Sequence, residues 1–245
     1  MGLNPQKGNM YEHVSHTWNA IKGACEYDCV YCFMKRFKQR PLRFVEAELK
    51  TDLGNGNFIF GGSSTDMFAE NVPSVWIAKI LEHCRAYPDN QYLFQSKNPG
   101  RFFGFLDEMP PVRVLATTIE TNRQDLIDKI SQAPSLIERR DAMTALRASK
   151  ENVQVTIEPI MQFDDPELYI WMKQISPNLI AIGADSKDHH LQEPTGEQVT
   201  TLVTMLKTFH GCEVIEKRNL KRLKGERKCI IRDDFVKNAR STRCK

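Results

Sequence analysis

The chain has 245 residues, of which 41% are hydrophobic and 27% charged. This balance is typical of a globular protein that buries a sizeable core. No apolar run approaches the roughly 20 residues needed to span a bilayer, and the amino terminus lacks the apolar segment of a secretory signal. We therefore expect a cytoplasmic protein, in which the seven cysteines are free thiols or metal ligands rather than disulfides.

The net charge of +3 averages two regions of opposite sign. Residues 217–245 carry twelve Lys or Arg and three acids, which gives +9. Residues 1–216 carry 22 basic and 28 acidic side chains, which gives −6. We expect residues 1–216 to form the folded body and 217–245 a basic extension. The extension suits a nucleic-acid partner, or is only a solvated face.

Short apolar runs alternate with helical stretches along the chain. A strand-like segment at 14–21 comes first, and the predicted strands that follow are 57–62, 92–96, 112–120, 153–160, 179–183 and 213–215. The predicted helices are 74–87, 124–149 with a break at Pro134, 166–175 and 196–209. This alternation predicts an α/β fold with right-handed crossovers and a parallel sheet. The pattern does not choose between an open doubly wound sheet and a full or partial barrel.

Unusual residues collect where the predicted strands end. Ligands bind at the carboxyl ends of parallel strands in both kinds of fold, so we expect the functional site at this edge. The residues concerned are Gly61–Asp66, Lys97, Glu120, Glu158, Asp185 and Lys187.

Three cysteines, Cys25, Cys29 and Cys32, lie within eight residues. Their spacing lets one loop wrap three sulfurs around a single metal centre, and thiolates suit iron–sulfur clusters and zinc. Three cysteines on a four-iron cluster leave one iron open to a ligand from outside the protein, which is a reactive arrangement. The alternative is a structural zinc loop completed by a distant residue such as Cys212 or His210.

The Cys-x3-Cys-x2-Cys spacing, with Tyr31 directly before the last cysteine, resembles the signature of the radical S-adenosylmethionine (SAM) superfamily. The resemblance implies a partial parallel (β/α)6 barrel of the radical SAM type. It also implies a [4Fe–4S] cluster on Cys25, Cys29 and Cys32, with SAM on the open iron. Such enzymes cleave SAM to methionine and a 5′-deoxyadenosyl radical that abstracts hydrogen from a substrate. An electron donor such as flavodoxin or ferredoxin is then implied as a partner.

The resemblance extends to Gly61-Gly-Ser-Ser-Thr-Asp66, which occupies the place of the glycine-rich element that binds the SAM amino group. Ser63 stands where that element usually has an acidic residue. Hydroxyls and carbonyls would therefore take over its task, which implicates Gly62, Ser63, Ser64 and Thr65 in cofactor binding. The alternative is a polar turn that caps the following helix.

Two carboxylates also match the resemblance. Glu120 and Glu158 end strands from which family members often contact the SAM ribose and its surroundings, and Tyr31 belongs to the cofactor-binding motif. In the alternative interpretation each carboxylate pairs with a nearby Lys or Arg. Lys97 is expected to face the barrel mouth, unless it is an ordinary surface lysine. The sequence identifies no residue that acts on the substrate.

A narrower resemblance is to a phage-associated, largely uncharacterised radical SAM family related to spore photoproduct lyase. The sequence does not identify the substrate; this resemblance makes a nucleic acid or nucleotide one candidate, with repair or modification of DNA or RNA as one interpretation. A different interpretation is a non-enzymatic zinc or iron–sulfur module that binds nucleic acid. The similar segments are Thr17-Trp-Asn, Ser64-Thr-Asp-Met-Phe, Val72-Pro, Trp76-Ile, Ser96-Lys-Asn-Pro99, Ile119-Glu-Thr and Ile157-Glu-Pro-Ile160.

His189 and His190 follow Asp185 and Lys187. Adjacent residues on an extended segment point in opposite directions, so two consecutive histidines rarely bind one ion. We expect a solvated loop at the barrel mouth, in which Asp185 or Lys187 is a candidate substrate contact.

The last candidate functional features are the remaining cysteines and the basic extension. Cys212, Cys229 and Cys244 are widely spaced, which favours scattered thiols over a second cluster, and Cys84 falls on the apolar face of a helix. Leu220 and Leu223 predict that part of the extension packs against the barrel. Phe235 is the only aromatic residue there, so side chains that stack on bases are scarce.

Overall fold

The computed structural model describes residues 2–6 and 11–225. Its strands are β1 (Asn4–Pro5), β2 (His16–Trp18), β3 (Ile21–Lys22), β4 (Arg43–Phe44), β5 (Phe58–Gly61), β6 (Gln91–Gln95), β7 (Arg113–Thr118), β8 (Val153–Ile157), β9 (Leu179–Ile182) and β10 (Glu213–Glu216). Its α-helices are α1 (Ser74–Arg85), α2 (Gln124–Ile127), α3 (Leu136–Ala148), α4 (Glu167–Ile175) and α5 (Gly196–Leu206). Short 3-10 helices cover Phe33–Arg36, Glu46–Lys50, Pro99–Glu108 and Arg218–Arg222.

Eight strands form one sheet in the order β1-β2-β5-β6-β7-β8-β9-β10. All neighbours from β2 to β10 are parallel, and β1 joins the edge of β2 in the antiparallel direction. Each parallel strand thus lies beside the next along the chain, as right-handed crossovers dictate. In the described residues β1 and β10 are both edges, so the sheet does not close into a full barrel. The predicted α/β fold with a partial parallel barrel is confirmed.

The helices cover the outer face of this sheet because each has one apolar stripe. On α1 the buried residues Ile77, Ile80, Leu81 and Cys84 recur at the predicted three-to-four spacing. The predicted break at Pro134 is also confirmed, since α2 and α3 are separate helices on either side of it.

Two segments differ from the sequence-based expectation. The strand-like segment 14–21 is divided: β2 stays in the main sheet, whereas Ile21–Lys22 pairs with Arg43–Phe44 in a separate antiparallel pair. The chain leaves the main sheet after Trp18 because the next side chain, Asn19, binds the loop that follows β5. In addition, the crossover from β6 to β7 is a 3-10 helix, Pro99–Glu108, for which no helix was predicted.

A small core fills the barrel interior below its carboxyl edge. Tyr11 and Val14 enter from the segment before β2 and pack on inward-facing apolar residues of the strands. The Tyr11 hydroxyl donates to Gln95 Oε1 at 2.6 Å and lies 2.6 Å from Thr156 Oγ1. The interior is therefore closed at this depth, and a ligand can bind only above it, at the mouth.

The basic segment begins directly after β10. Its first part is the 3-10 helix Arg218–Arg222, in which Leu220 is buried, and Leu223 packs against the main core. The predicted packing of these two leucines is confirmed. Residues 226–245, with Cys229, Phe235 and Cys244, lie outside the described residues. Every helix in the described part of the chain is too short or too polar to cross a bilayer.

Candidate functional site

The three cysteines lie on an excursion, residues 23–42, that leaves the sheet after β2 and is closed at its base by the β3–β4 pair. Inside this base the Ala24 amide donates to the Arg40 carbonyl at 2.8 Å. Gly23 has φ +117°, and a Cβ there would lie 2.4 Å from the carbonyl oxygen of Pro41. Glycine is therefore required where the two ends of the excursion meet.

The cysteine loop is anchored to the connection between α2 and α3. The amide of Val30 donates to the carbonyl of Ile130 at 2.8 Å. Cys29 is buried, and its Sγ lies 3.2 Å from Ser131 Oγ, whereas Cys25 and Cys32 are half-buried. The loop thus presents two partly accessible thiols on either side of a covered one.

Burial and nearby charges shift the pKa values of two of these thiols. Burial raises the pKa of Cys25 to about 12, and the charges of Asp66 and Cys29 add to this shift. Burial also raises the pKa of Cys32, again with a contribution from Cys29. Burial therefore favours the protonated forms of Cys25 and Cys32, and binding of a metal by these sulfurs would release protons.

The donor set fits an iron–sulfur cluster, because three thiols share one loop. In the described residues no three His, Cys, Asp or Glu side chains are already gathered around one point as ligands. The proposed zinc loop completed by Cys212 or His210 is wrong. Both residues precede β10, at the amino edge of the sheet, whereas the cysteine loop leaves β2 at the carboxyl edge.

The loop after β5 is held by Asn19. Gly62 turns the chain with φ +79°, and its amide donates to the carbonyl of Trp18 at 3.0 Å. Asn19 Oδ1 accepts hydrogen bonds from the Ser64 amide at 2.8 Å and the Ser64 hydroxyl at 3.0 Å. Its Nδ2 donates to Ser63 Oγ at 3.1 Å. Asn19 thereby orients two of the hydroxyls predicted to bind a cofactor, a role that the sequence analysis missed.

The same loop meets the cysteine excursion. The hydroxyl of Thr65 donates to the carbonyl of Gly23 at 3.0 Å. The alternative in which this loop caps the following helix is wrong, because α1 begins several residues later with Pro73 as its N-cap.

Asp66 joins this loop to the end of β6. Its carboxylate accepts from the Lys97 amide at 2.8 Å, the Ser96 hydroxyl at 3.1 Å and the Phe68 amide at 3.0 Å. Burial raises its pKa to about 6 although these hydrogen bonds favour the charged form. The ends of β5 and β6 are therefore locked together beside the cysteines.

A buried charged cluster connects the cysteine motif to α3. Glu120 is fully buried. Its Oε2 accepts a hydrogen bond from Arg139 Nη1 at 3.0 Å. Its Oε1 accepts hydrogen bonds from the Tyr31 hydroxyl and the Lys97 ammonium. The Lys97 ammonium also lies 4.7 Å from the centroid of the Tyr31 ring. Burial alone would raise the pKa of Glu120, but the two cations outweigh it and hold the pKa at about 2.

This cluster bears on whether Glu120 pairs with basic residues and on whether Lys97 is an ordinary surface lysine. The carboxylate pairs with basic side chains, and with no exposed surface it acts on Tyr31 and Lys97 rather than facing the mouth directly. Lys97 is not a surface lysine, because only 14% of its side chain is exposed. Its charge also favours the thiolate of Cys32, which places the ammonium near that sulfur.

Arg139 is the member of this cluster that the sequence analysis missed. The buried residues of α3 are Leu136, Arg139, Met143 and Leu146. Their spacing puts Arg139 on the apolar stripe of the helix, where an arginine needs a buried acidic partner. The helical spacing of the apolar residues would therefore have identified Arg139 as a buried arginine.

The opposite side of the mouth is covered by the first residues of the basic segment. Lys217 pairs with Glu158, and Asn219 Nδ2 donates to Glu158 Oε1 at 2.9 Å and to the Ala184 carbonyl at 2.7 Å. The Lys217 ammonium also lies 5.2 Å from the centroid of the Tyr11 ring. The pairing interpretation of Glu158 is thus observed, with a partner that comes from the basic segment.

Asp185 organises the loop that follows β9. Its carboxylate accepts from His189 Nδ1 at 2.6 Å and from the amide of Lys187 at 3.1 Å. Burial would raise its pKa, but these hydrogen bonds outweigh it and lower the pKa. His190 is exposed, and the two histidines belong to no metal-binding group in the part of the chain that the structure describes.

No family model matches the sequence, and no curated protein matches it. Solved structures do match the fold. A spore photoproduct lyase variant with bound SAM and a dinucleoside spore photoproduct gives a TM-score of 0.63 at 11% identity, covering 85% of this chain and 78% of that one. Streptococcus suis SuiB with its precursor peptide SuiA gives 0.59 at 10% identity, covering 86% of this chain and 50% of that one. These likenesses show a shared fold, the partial parallel barrel of the radical SAM type.

Proposed function

We propose that the chain is a radical SAM enzyme, in which Cys25, Cys29 and Cys32 ligate a [4Fe–4S] cluster and SAM occupies the open iron. When bound, cluster and SAM supply a 5′-deoxyadenosyl radical that abstracts hydrogen from the substrate. The observation that carries the proposal is the hydrogen bond from the Thr65 hydroxyl to the Gly23 carbonyl at 3.0 Å. It brings the cysteine loop and the loop after β5 together at the carboxyl edge, where a ligand could contact both.

The loop after β5 would bind the amino group of SAM. Carbonyl and hydroxyl oxygens accept hydrogen bonds from an ammonium group, and the loop offers those of Gly62, Ser63 and Ser64. Thr65 is buried and bonded to Gly23, so it positions the loop instead. Asn19 does the same for the two serines.

Tyr31 and Glu158 would approach SAM from the two sides of the mouth. Tyr31 directly precedes a proposed cluster ligand, and Glu120 with Lys97 fixes its hydroxyl. Glu158 would lie on the ribose side with its carboxylate held by Lys217 and Asn219. These residues would orient the cofactor and keep water away from the reacting atoms.

For the substrate we propose a nucleic acid or nucleotide, modified or repaired by chemistry like that of spore photoproduct lyase. The lyase structure contains a dinucleoside, and this chain covers more of the lyase than of SuiB. The same proposal includes membership of the phage-associated family, a cytoplasmic location and an electron donor such as flavodoxin or ferredoxin.

The test is anaerobic reconstitution with iron and sulfide, followed by incubation with SAM and dithionite. Wild-type protein should bind about four irons per chain and release 5′-deoxyadenosine. Cys25→Ser, Cys29→Ser and Cys32→Ser should each lose the cluster and the deoxyadenosine. Cys212→Ser is the matched control, since it changes a half-buried thiol at the amino edge, and it should retain both.

A colourless protein that holds one zinc and releases no deoxyadenosine would contradict the proposal. That outcome would favour the non-enzymatic module that binds nucleic acid. Retention of four irons by all three loop variants would contradict the assignment of the ligands while leaving the enzyme class open.

A further inference from the structure

Residues 33–43, which comprise the second half of the excursion and the first residue of β4, are strongly basic. Between Asp28 and Glu46 the sequence has five basic residues and no acid. The structure exposes all five of them to solvent. They are Lys35, Arg36, Lys38, Arg40 and Arg43.

Most of this charge is not neutralised by the residues that the structure describes. Lys35 pairs with Asp28 at 2.7 Å, whereas the other four side chains make no ion pair with any described residue. The backbone beneath them is nevertheless fixed, by the 3-10 helix Phe33–Arg36 and by the β3–β4 pair. The fold therefore fixes the backbone of a positively charged surface, and four of its five basic side chains form no ion pair with another described residue.

Two aromatic rings lie among these charges. Phe33 is 42% exposed and Phe37 is 50% exposed, and both are among the large hydrophobic residues that the fold leaves outside its core. The Arg36 guanidinium carbon lies 5.8 Å from the Phe33 centroid and 4.6 Å from the Phe37 centroid. Exposed rings combined with cations are the features that stack on bases and bind phosphates in single-stranded nucleic acid.

The basic surface leads toward the candidate cofactor site. A cleft of about 450 Å³ has walls from Phe37, Lys38 and Arg40 on one side and from Asn19 and Ser64 on the other. The one acidic residue that lines it, Glu48, is buried and bonded to Lys22 at 2.7 Å. The cleft is therefore positive, and it connects the exposed ring of Phe37 with the loop after β5.

We propose that residues 33–43 bind single-stranded nucleic acid, with Arg36, Lys38 and Arg40 on the phosphates and Phe33 and Phe37 stacked on bases. An acidic peptide would use the cations but leave both rings exposed, whereas a nucleic-acid strand accounts for both features. The binding itself is independent of the radical chemistry. The statement that the bound strand is the substrate rests on the proposed function.

The charge test uses the full chain and a labelled single strand about 12 nucleotides long, with fluorescence anisotropy at several salt concentrations. Neither SAM nor reductant is present, so the result does not depend on catalysis. Lys38→Gln/Arg40→Gln should weaken binding about tenfold and reduce the log–log salt slope by about 1.4, or about 0.7 per phosphate contact. Lys150→Gln/Lys173→Gln removes the same charge from exposed lysines of the helical layer and should change neither quantity.

The stacking test uses Phe33→Leu/Phe37→Leu, which keeps the apolar character and every charge. Binding of the strand should weaken about tenfold, while the salt slope and the binding of a poly-glutamate peptide stay unchanged. Equal losses in the control pair, or no loss in either patch variant, would overturn the proposal and assign binding to the rest of the chain. A peptide bound as tightly as the strand would overturn it in favour of an acidic peptide partner.

Discussion

The Tyr31 hydroxyl donates a hydrogen bond to the carboxylate of Glu120, which is bonded on its other oxygen to Arg139 of α3. A residue of the cysteine motif is thereby connected through one buried carboxylate to a helix of the outer layer. Because Cys32 directly follows Tyr31, the end of the cysteine loop depends on this buried charge. The relationship makes Glu120 a positioning residue whose removal should affect both stability and the loop.

Glu120→Gln should destabilise the cluster-free chain by about 3 kcal/mol near neutral pH, because it leaves two buried cations without their anion. Urea unfolding followed by circular dichroism measures this loss. Glu216→Gln is the matched control, since Glu216 pairs with Lys207 and Lys224 but remains 26% exposed. It should cost about 1 kcal/mol or less.

The difference between wild type and Glu120→Gln should depend on pH. The pKa of Glu120 lies at about 2 in the folded chain, below the value of about 4.3 expected for an unfolded glutamate. Its stabilising contribution is therefore complete above the unfolded pKa and is lost as the pH falls toward the folded pKa. A difference that stays constant from neutral pH to about pH 3 would show that the carboxylate is not held charged by its partners.

Asn19→Ala should weaken SAM binding about tenfold with little loss of iron, because it frees Ser63 and Ser64 without touching a cysteine. Equilibrium dialysis of labelled SAM against reconstituted protein measures the affinity. Asn178→Ala is the control, since Asn178 accepts from the Val153 amide at 3.0 Å at the amino edge of the sheet. Equal effects of the two variants would mean that Asn19 acts only through overall stability.

Leu220→Ala should lower the free energy of unfolding by about 3 kcal/mol, as expected for a fully buried leucine. Leu223→Ala removes the same atoms from a half-buried position and should cost about 1 kcal/mol. Thermal or urea denaturation distinguishes the two. Similar small losses for both would indicate that the segment after β10 contributes little to the folded barrel.

Replacing Cys212, Cys229 and Cys244 together by serine should leave the iron and sulfide content at the wild-type level. Cys212 lies at the amino edge, far along the fold from the cysteine loop, and its Sγ is 3.6 Å from the Glu213 carbonyl. Iron and acid-labile sulfide assays provide the measurement. A loss of about half of the iron would indicate a second cluster.

The alternation of strands and helices could be predicted from sequence because both have regular apolar periods, whereas the choice of a partial barrel came from the resemblance of the cysteine motif. The break at Pro134 and the buried face of α1 followed directly from proline geometry and helical spacing. The 3-10 helix Pro99–Glu108 was missed because it has no α-helical period. The divided strand was missed because Trp18 and Ile21 share one apolar run, although only tertiary contacts of Asn19 end the first part.

Those parts of the candidate site whose residues lie close together in sequence could be predicted. Contacts between residues of distant elements were harder to predict. The cysteine spacing identified its loop without any structure. By contrast, the partners of Glu120 and Glu158 come from distant elements, Arg139 on α3 and Lys217 after β10. Local patterns do not reveal such pairs, apart from the position of Arg139 on the apolar stripe of its helix.

Because of the β3–β4 pair, the fold of the barrel does not depend on the conformation of the cysteine loop. This pair closes the excursion at its base, so the bonds that hold the sheet do not pass through the cysteines. The barrel can therefore fold before the proposed cluster binds, and loss of that cluster by oxidation would leave the sheet intact. An excursion closed in this way would let the folded chain bind a new cluster after oxidative damage.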